Sequence, residues 1–219
     1  MAVDFGQLRR TEPISRHFGY DRGLPVDRHY IEQFLDSNRT DIAGHVLEIG
    51  DDSYTFRFGG DRVTMRDVLH VNESNPKATI ISDLSSGEGI QSDAFDCAIV
   101  TQTLQLIYQP EAALRTLHRA LKPGGVLLAT VPGITSLSVD EWNSTWYWAF
   151  TKYSVRRMFE STFGTERVHI DTFGNVFAAT CFLQGLAISD VSTAELDHHD
   201  PDYQVTIAVR AVKPEVARV

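Results

Sequence analysis

Short apolar runs and amphipathic stretches alternate through the middle of the chain. The runs at residues 97–100 and 126–131 have the pattern of strands that are buried on both faces. Between them, leucines repeat at helical spacing over residues 110–121, behind a proline that suits the first position of a helix. Lys-Pro-Gly-Gly at 122–125 then ends the helix. This stretch predicts a β-α-β unit with parallel strands and a right-handed crossover.

The same reading extends to both sides of this unit. Residues 51–60 are too few and too aromatic for a crossover helix, so they predict a loop or a single turn. Residues 175–186 are apolar enough for either a helix or an extended segment. The other predicted strands cover residues 45–49, 63–66, 78–82, 168–172 and 203–212, and the other predicted helices cover residues 25–38 and 151–163.

Composition limits the class of protein. A chain of 219 residues with 42% hydrophobic and 22% charged residues is ordinary for one soluble domain with a sizeable core. The net charge of −9, without a run of Lys or Arg, argues against a nucleic-acid partner. No apolar run approaches the roughly 18 residues needed to span a membrane. Residues 1–6 lack the pattern of a secretory signal, and Cys97 and Cys181 both lie in apolar runs, so we expect reduced core cysteines and a cytoplasmic location.

Four motifs in order carry a family resemblance. Val-Leu-Glu-Ile-Gly at 46–50 and Ile-Ile-Ser-Asp-Leu at 80–84 precede Phe95-Asp96 at the start of a strand and Leu-Lys-Pro-Gly-Gly at 121–125. This order resembles the class I S-adenosylmethionine (SAM) dependent methyltransferases, from about residue 46 to residue 132 and more loosely to the C-terminus. The leading segment and the Gly-Asp-Asp loop resemble, more narrowly, small bacterial (type 11-like) methyltransferases of glycan or natural-product biosynthesis.

The resemblance implies a fold and a division of the chain. The fold is α/β: a Rossmann-like seven-stranded sheet, mostly parallel, with an antiparallel last strand inserted beside the fifth and helices on both faces. Residues 1–219 would form a single methyltransferase domain. Its parts would be an N-terminal cap segment (1–40), a SAM-binding core (45–132), a substrate-side aromatic insertion with a helix (133–165) and C-terminal strands (166–219).

The predicted cofactor site begins at the end of the first strand, where Glu48 and Gly50 match the family's first motif. A glycine there allows a sharp turn close to a ligand. The family's two further glycines are absent, and Asp51 follows instead. Asp67, 17 residues after Gly50, is predicted to accept the two ribose hydroxyls, since a carboxylate offers two acceptor oxygens. Glu73 is a weaker alternative for this role.

Two more strand ends complete the cofactor prediction. The resemblance implies that Asp83 accepts the adenine amine and that Leu84 packs on the ring; the alternative for Asp83 is a capping role. Thr101 and Gln102 are polar residues at the end of a central strand, where open α/β sheets bind ligands. The predicted cofactor-binding residues are Glu48, Gly50, Asp51, Asp67, Val68, Asp83, Leu84, Thr101 and Gln102.

Substrate contacts are predicted on two segments. All three tryptophans fall within residues 142–148, a segment aromatic enough to line a pocket. The resemblance implies that the segment before residue 40 lies over the pocket, although its helix could equally be a solvated amphipathic one. The predicted substrate-binding residues are Arg22, Tyr30, Trp146, Tyr147 and Trp148.

The expected reaction is methyl transfer from SAM to an oxygen or nitrogen of a small acceptor, such as a sugar or a natural-product intermediate. Proximity and in-line orientation can supply most of the acceleration. A hydroxyl acceptor would benefit from a base, for which His29 is the candidate, with a plain surface histidine as the alternative. Gln105 stands where relatives often carry His and cannot act as a base. His198 and His199 predict a solvated loop, and we expect no metal.

One competing hypothesis concerns a different class of function. The missing glycines and the short first crossover favour a degenerate fold that binds a ligand or a partner protein without methyl transfer. A dehydrogenase is disfavoured because the dinucleotide glycine fingerprint is absent. The sequence leaves open whether the protein forms a homodimer.

Overall fold

The computed structural model describes residue 6 and residues 9–215, so most of the N-terminal stretch inspected for a secretory signal lies outside the described residues. The strands are β1 (Gly44–Ile49), β2 (Val63–His70), β3 (Ile80–Ile81), β4 (Phe95–Thr101), β5 (Leu121–Pro132), β6 (Val168–Phe173) and β7 (Thr206–Val212). The helices are α1 (Val26–Ser37), α2 (Pro110–Ala120), α3 (Lys152–Phe163), α4 (Val176–Leu183) and α5 (Thr193–Asp197). No helix in this part of the chain is long and apolar enough to cross a membrane.

The strands form one seven-stranded sheet in the order β3-β2-β1-β4-β5-β7-β6. Strands β1 to β5 pair in parallel, whereas β7 runs antiparallel between β5 and β6. This arrangement confirms the predicted Rossmann-like α/β class and its antiparallel last strand. The β4-α2-β5 unit is also confirmed, with the two strands as parallel neighbours.

Central strand β4 is buried on both faces, as its apolar run predicts. Ala98 and Val100 pack on one face of the sheet with α2 and α3, whereas Cys97 and Ile99 pack on the other face with α1. The three leucines of the α2 region, Leu114, Leu117 and Leu121, are fully buried in the first of these clusters. Cys97 and Cys181 are free and buried, which confirms their expected core positions.

The first crossover, between β1 and β2, contains no α-helix. Short helical turns follow one another over residues 53–62, including a π-turn (Thr55–Gly59) and a 3-10 turn (Gly60–Arg62), so the crossover is shortened as predicted but is more helical than a loop or a single turn. Phe58 from this turn packs in the same core cluster as α1. Helix α1 therefore supplies part of the cover that a longer crossover helix would otherwise give to this face of the sheet.

Several element boundaries differ from their predictions. Strand β2 continues to His70 rather than ending at Arg66, because its parallel pairing with β1 runs on to Ile49↔Leu69. Strand β3 keeps only two residues. The Lys-Pro-Gly-Gly segment lies within β5, as an irregularity between the pairs Phe95↔Leu121 and Cys97↔Val126. Of the two structures predicted for residues 175–186, the helix is observed, as α4. The side chain of Asn175 caps this helix by accepting a hydrogen bond from the Ala178 N–H.

Candidate functional site

The carboxyl ends of the two central strands β1 and β4 hold two residues with left-handed backbone. Gly50 follows β1 with φ +89°, and Gln102 follows β4 with φ +46°. A Cβ added at Gly50 would meet no atom within 4 Å, so open space lies beside its backbone. Left-handed backbone is uncommon for a residue other than glycine, and it concentrates at functional sites. The strand ends therefore define the centre of a candidate site.

Three cavities adjoin one another at these strand ends. The first, of about 560 Å³, lies beyond β2 and β3 and is called the β2–β3 cavity. The second, of about 320 Å³, lies between β1 and β4 under α1 and is called the β1–β4 cavity. The third, of about 370 Å³, is called the aromatic cavity for its lining of Phe18, Tyr20, Trp142, Trp146 and Phe182. Gly50 lines the first two, and Gln102 lines the last two.

The β2–β3 cavity contains both residues predicted for adenine. Leu84 is buried, and Asp83 lies at the exposed edge. The Asp83 Oδ1 accepts from the Ser85 N–H and hydroxyl, both at 2.7 Å, so this carboxylate also has the capping role considered as its alternative. His70, the last residue of β2, lines the same cavity, and its Nδ1 lies 3.0 Å from the Asn72 carbonyl oxygen.

Asp67 and Val68 require a correction, because neither lines any of the three cavities. Asp67 lies inside β2 opposite Leu47. Its Oδ2 lies 2.7 Å from His45 Nε2, and its Oδ1 accepts from the Thr79 hydroxyl at 2.6 Å. The prediction ended the strand too early, although the apolar Val68-Leu69 pair was a signal that it continues. His70 occupies the strand-end position instead.

The β1–β4 cavity brings the first-motif residues together with α1. Glu48, Asp51, Thr101 and Gln102 all line it, as predicted for neighbours of one ligand. The Glu48 carboxylate accepts from the Thr55 N–H at 2.7 Å and from the Tyr54 N–H at 3.2 Å, so it also caps the short crossover turn. Burial raises the pKa of Glu48 to about 7, against the lowering effect of those hydrogen bonds.

Arg28 projects from α1 into the same cavity, which the sequence analysis did not single out. Its Nε donates to the Tyr20 hydroxyl at 3.0 Å, and its Nη1 donates to the Tyr54 hydroxyl at 3.3 Å. Burial by itself lowers the pKa of Arg28, but the Asp27 carboxylate and the two tyrosines produce a net rise. A charged guanidinium therefore lines the same cavity as the carboxyl groups of Glu48 and Asp51.

The aromatic cavity joins segments that are far apart in the chain. The Phe18 ring stacks on Trp146 at 5.6 Å and on Phe182 at 5.8 Å between ring centroids. Gln105 is only 1% exposed, and its Nε2 donates to the Gln102 carbonyl at 2.8 Å. Among the described residues, three buried atoms here have no hydrogen-bond partner: Gln102 Nε2, Gln105 Oε1 and Trp146 Nε1. Buried polar atoms normally find a partner, so these three leave hydrogen-bonding capacity unused in the wall of the cavity.

Three predicted residues of the leading segment point away from the cavities, and these predictions need correction. His29 Nε2 lies 2.8 Å from Asp197 Oδ1, beside a shallow outer surface. Arg22 donates twice to the Asp190 carboxylate. Tyr30 is 1% exposed, and its hydroxyl donates to the Leu196 carbonyl at 3.0 Å. Successive side chains are turned by about 100° around a helix axis, so Asp27 and Arg28 can face the strand ends while His29 and Tyr30 face other directions.

The aromatic segment after β5 divides between roles. Trp146 lines the aromatic cavity, and Tyr147 lines the β2–β3 cavity. The ring centroids of Tyr147 and Tyr108 are 5.3 Å apart. Trp148 lines none of the three cavities, and its Nε1 donates to the Ile107 carbonyl at 3.0 Å. The prediction that Trp148 binds substrate is therefore corrected. Phe182 carried no signal in the sequence, since it sits in an ordinary apolar run. The described residues contain no group of three His, Cys, Asp or Glu placed to hold a metal ion.

Comparisons with known proteins agree with this architecture. A family model described as a methyltransferase domain matches residues 20–165. No curated protein matches the sequence. The solved structures that resemble the chain include the [4+2]-cyclase SpnF, with a TM-score of 0.57 and 17% identity over 86% of this chain and 81% of that one.

Two further solved structures extend the likeness. A SAM dependent methyltransferase from Archaeoglobus fulgidus has a TM-score of 0.55 and 12% identity, over 85% of this chain and 94% of that chain. The N-methyltransferase NodS from Bradyrhizobium japonicum WM9, solved with S-adenosylhomocysteine, has a TM-score of 0.53 and 17% identity, over 95% of each chain. At these identities the structures show a shared fold, which by itself does not specify a reaction.

Proposed function

The chain belongs to the methyltransferase domain family, and from this premise we propose that it transfers a methyl group from SAM to a nitrogen or oxygen of a small acceptor. The observation that carries the proposal is the meeting of three cavities at Gly50 and Gln102. The β2–β3 cavity and the β1–β4 cavity together suit a nucleoside joined to an amino acid. The aromatic cavity suits the acceptor, and Gln102 lies at the boundary where cofactor and acceptor would meet.

The residues present fit SAM by their chemistry. Leu84 and Asp83 would hold the adenine, and His70 would stand beside the ribose in place of the predicted Asp67. Arg28 carries the positive charge that a methionine carboxylate requires, and Asp51 carries negative charge for its ammonium group. Glu48, whose pKa burial raises to about 7, would be ionised more fully beside that ammonium group. The open space beside Gly50 would admit a ligand close to the backbone.

The bound cofactor supplies an electrophilic methyl group on a sulfonium sulfur. The protein's part is to hold the acceptor in line and to exclude water. Helix α1 and the aromatic segment cover the strand ends from two sides. Gln102 and Gln105 line the aromatic cavity, and each has an enclosed amide atom without a hydrogen-bond partner that a small side-chain rotation would turn toward a polar acceptor. His29 has no part in this scheme, because it pairs with Asp197.

The size of the aromatic cavity supports a small acceptor. About 370 Å³ lies within the range of small-molecule pockets, and accommodates a sugar or a natural-product intermediate. A biosynthetic role and a cytoplasmic location form part of this proposal, on the strength of the family resemblance and the composition.

Two glycines give a matched test of the cofactor site. Gly50 and Gly164 have φ +89° and +91°, and neither has an atom within 4 Å of an added Cβ. Alanine should strain the backbone at both positions, by about 1–3 kcal/mol each, because L residues rarely adopt a φ near +90°. Only Gly50→Ala would place a methyl group in the proposed cofactor cavity. Calorimetric titration with SAM and S-adenosylhomocysteine should show one-to-one binding that Gly50→Ala weakens by about tenfold or more and that Gly164→Ala leaves unchanged.

The same titration can reject the proposal. Folded wild-type protein that binds neither compound at millimolar concentration would overturn it, as would equal binding by both variants. The second candidate function is a ligand-binding module on this fold, favoured by the reduction of the first crossover to single turns. Binding of SAM without methyl incorporation into any amine or alcohol of a broad panel would favour that module.

A further inference from the structure

We propose that the acceptor is an amine, and that the carboxylate of Asp27 binds its ammonium group inside the aromatic cavity. This inference rests on the proposed function, because it names the acceptor class for the same reaction. It narrows the choice of methylated atom from oxygen or nitrogen to nitrogen.

Asp27 is an unusual acid for its position. It lies in the first turn of α1, where acids are common because they face unpaired backbone N–H groups, yet it is only 7% exposed. Burial raises the pKa of Asp27, although the Arg28 guanidinium and the backbone N–H groups of residues 27 and 28 lower it in part. Within the described chain, its carboxylate has no hydrogen bond from another side chain. A buried carboxylate of this kind is stabilised by a cation that enters the cavity.

The charges around the cavity favour a cation over an anion. Asp27 and Asp140 are its two lining carboxylates, and Arg28 is its one guanidinium. The Arg28 side chain is directed at the hydroxyls of Tyr20 and Tyr54, so part of its hydrogen-bonding capacity is used on the wall itself. The lining charges therefore leave one negative charge in excess when His17 is neutral.

The remaining wall has the chemistry of an ammonium site. Ring faces attract cations, and five aromatic side chains line this cavity, of which Phe18, Trp146 and Phe182 form a continuous stack. Gln105 Oε1 is unpaired but enclosed by protein, so it could accept an N–H from the same group after a small rotation of its side chain. An ammonium offers up to three donors, whereas a hydroxyl offers one, so an amine satisfies both Asp27 and Gln105 at once.

The step balances with Asp27 as the proton acceptor. The bound ammonium gives one proton to the Asp27 carboxylate and becomes a neutral amine with a free electron pair. That pair forms the new N–C bond while the electron pair of the breaking C–S bond passes to sulfur. The products are an N-methylammonium and a neutral thioether, and the Asp27 proton leaves to solvent. Because burial raises the pKa of Asp27, its carboxylate is a stronger base for this proton than an exposed aspartate would be.

Isosteric amine and alcohol pairs test the inference directly. Suitable probes are benzylamine with benzyl alcohol, cyclohexylmethylamine with cyclohexylmethanol, and hexylamine with hexanol. Trp142 and Trp146 line the cavity, so tryptophan fluorescence reports binding. Each probe is titrated with and without S-adenosylhomocysteine, whose own binding is measured first. The variant Asp27→Asn removes the charge with little change in shape, and Asp36→Asn, at an exposed position of the same helix, is its control.

The expected result is that at least one amine binds about tenfold or more tightly than its alcohol, a difference of about 1.4 kcal/mol. Asp27→Asn should abolish that preference, and Asp36→Asn should keep it. Absence of any amine preference in the wild-type protein would overturn the inference whether or not the variant folds, as would a preference that survives in folded Asp27→Asn. Failure to bind S-adenosylhomocysteine would overturn the proposed function instead, and the amine preference of the protein alone would still decide the ammonium site.

Discussion

The pH dependence of stability should carry a signature of Glu48. This residue is 3% exposed, and its carboxylate caps the crossover turn through the N–H groups of Tyr54 and Thr55. Burial raises its pKa from the ordinary 4.5 to about 7. Between these two pH values the folded protein keeps a proton that the unfolded chain has released. The free energy of unfolding must therefore fall as the pH rises through this window.

The size of the effect follows from the pKa. One pKa step corresponds to about 1.4 kcal/mol, so the rise to about 7 represents about 3 kcal/mol of stability that is present below pH 4.5 and absent above pH 7. Glu48→Gln cannot ionise, and it removes this dependence. The amide also replaces one acceptor oxygen by an NH₂ group, which costs about 1 kcal/mol at every pH. The variant should therefore be less stable than wild type by about 1 kcal/mol at pH 4.5, and more stable by about 2 kcal/mol at pH 8.

This change of sign can be measured by urea unfolding followed by circular dichroism, at several pH values from 4.5 to 8 and without SAM. In the difference between the unfolding free energies of variant and wild type, the contributions of other titrating groups cancel, including that of Asp27, whose pKa is also raised by burial. Glu166→Gln, at an exposed position, is the control and should give a nearly constant difference. A Glu48→Gln difference that stays constant over this range would refute the reasoning, because Glu48 would then be equally charged in both states.

Three further results should follow from the structure. Arg28→Met should weaken SAM binding in calorimetry by about tenfold or more, since a charged hydrogen bond contributes about 1.5–3 kcal/mol; unchanged affinity would place the methionine carboxylate elsewhere. His29→Ala should leave the methyl-transfer rate within about twofold of wild type, because its ring pairs with Asp197; a drop of about a hundredfold would restore it as a base. Leu128→Ala, at a fully buried position of β5, should lower the free energy of unfolding by about 2–5 kcal/mol in urea titration, and a loss below 1 kcal/mol would contradict tight packing there.

The interior strands and the β4-α2-β5 unit could be predicted because their patterns are local. A strand buried on both faces needs an unbroken apolar run, and a helix that covers a sheet needs leucines at helical spacing. Residues 97–100 and 110–121 carry these patterns without reference to the rest of the chain. The same local logic predicted the helix over residues 151–163 and the short first crossover.

The sequence thus determined the fold class, the order of elements and the strand ends at which a ligand site would form. Only the tertiary structure decided which side chains face that site. Strand β2 runs to His70 because β1 offers partners that far, and this pairing turns Asp67 toward His45 instead of the site. Likewise α1 directs Asp27 inward and His29 outward because of how the helix packs. A hydrophobic pattern reports whether a position is buried, whereas the neighbour that buries it depends on segments far along the chain.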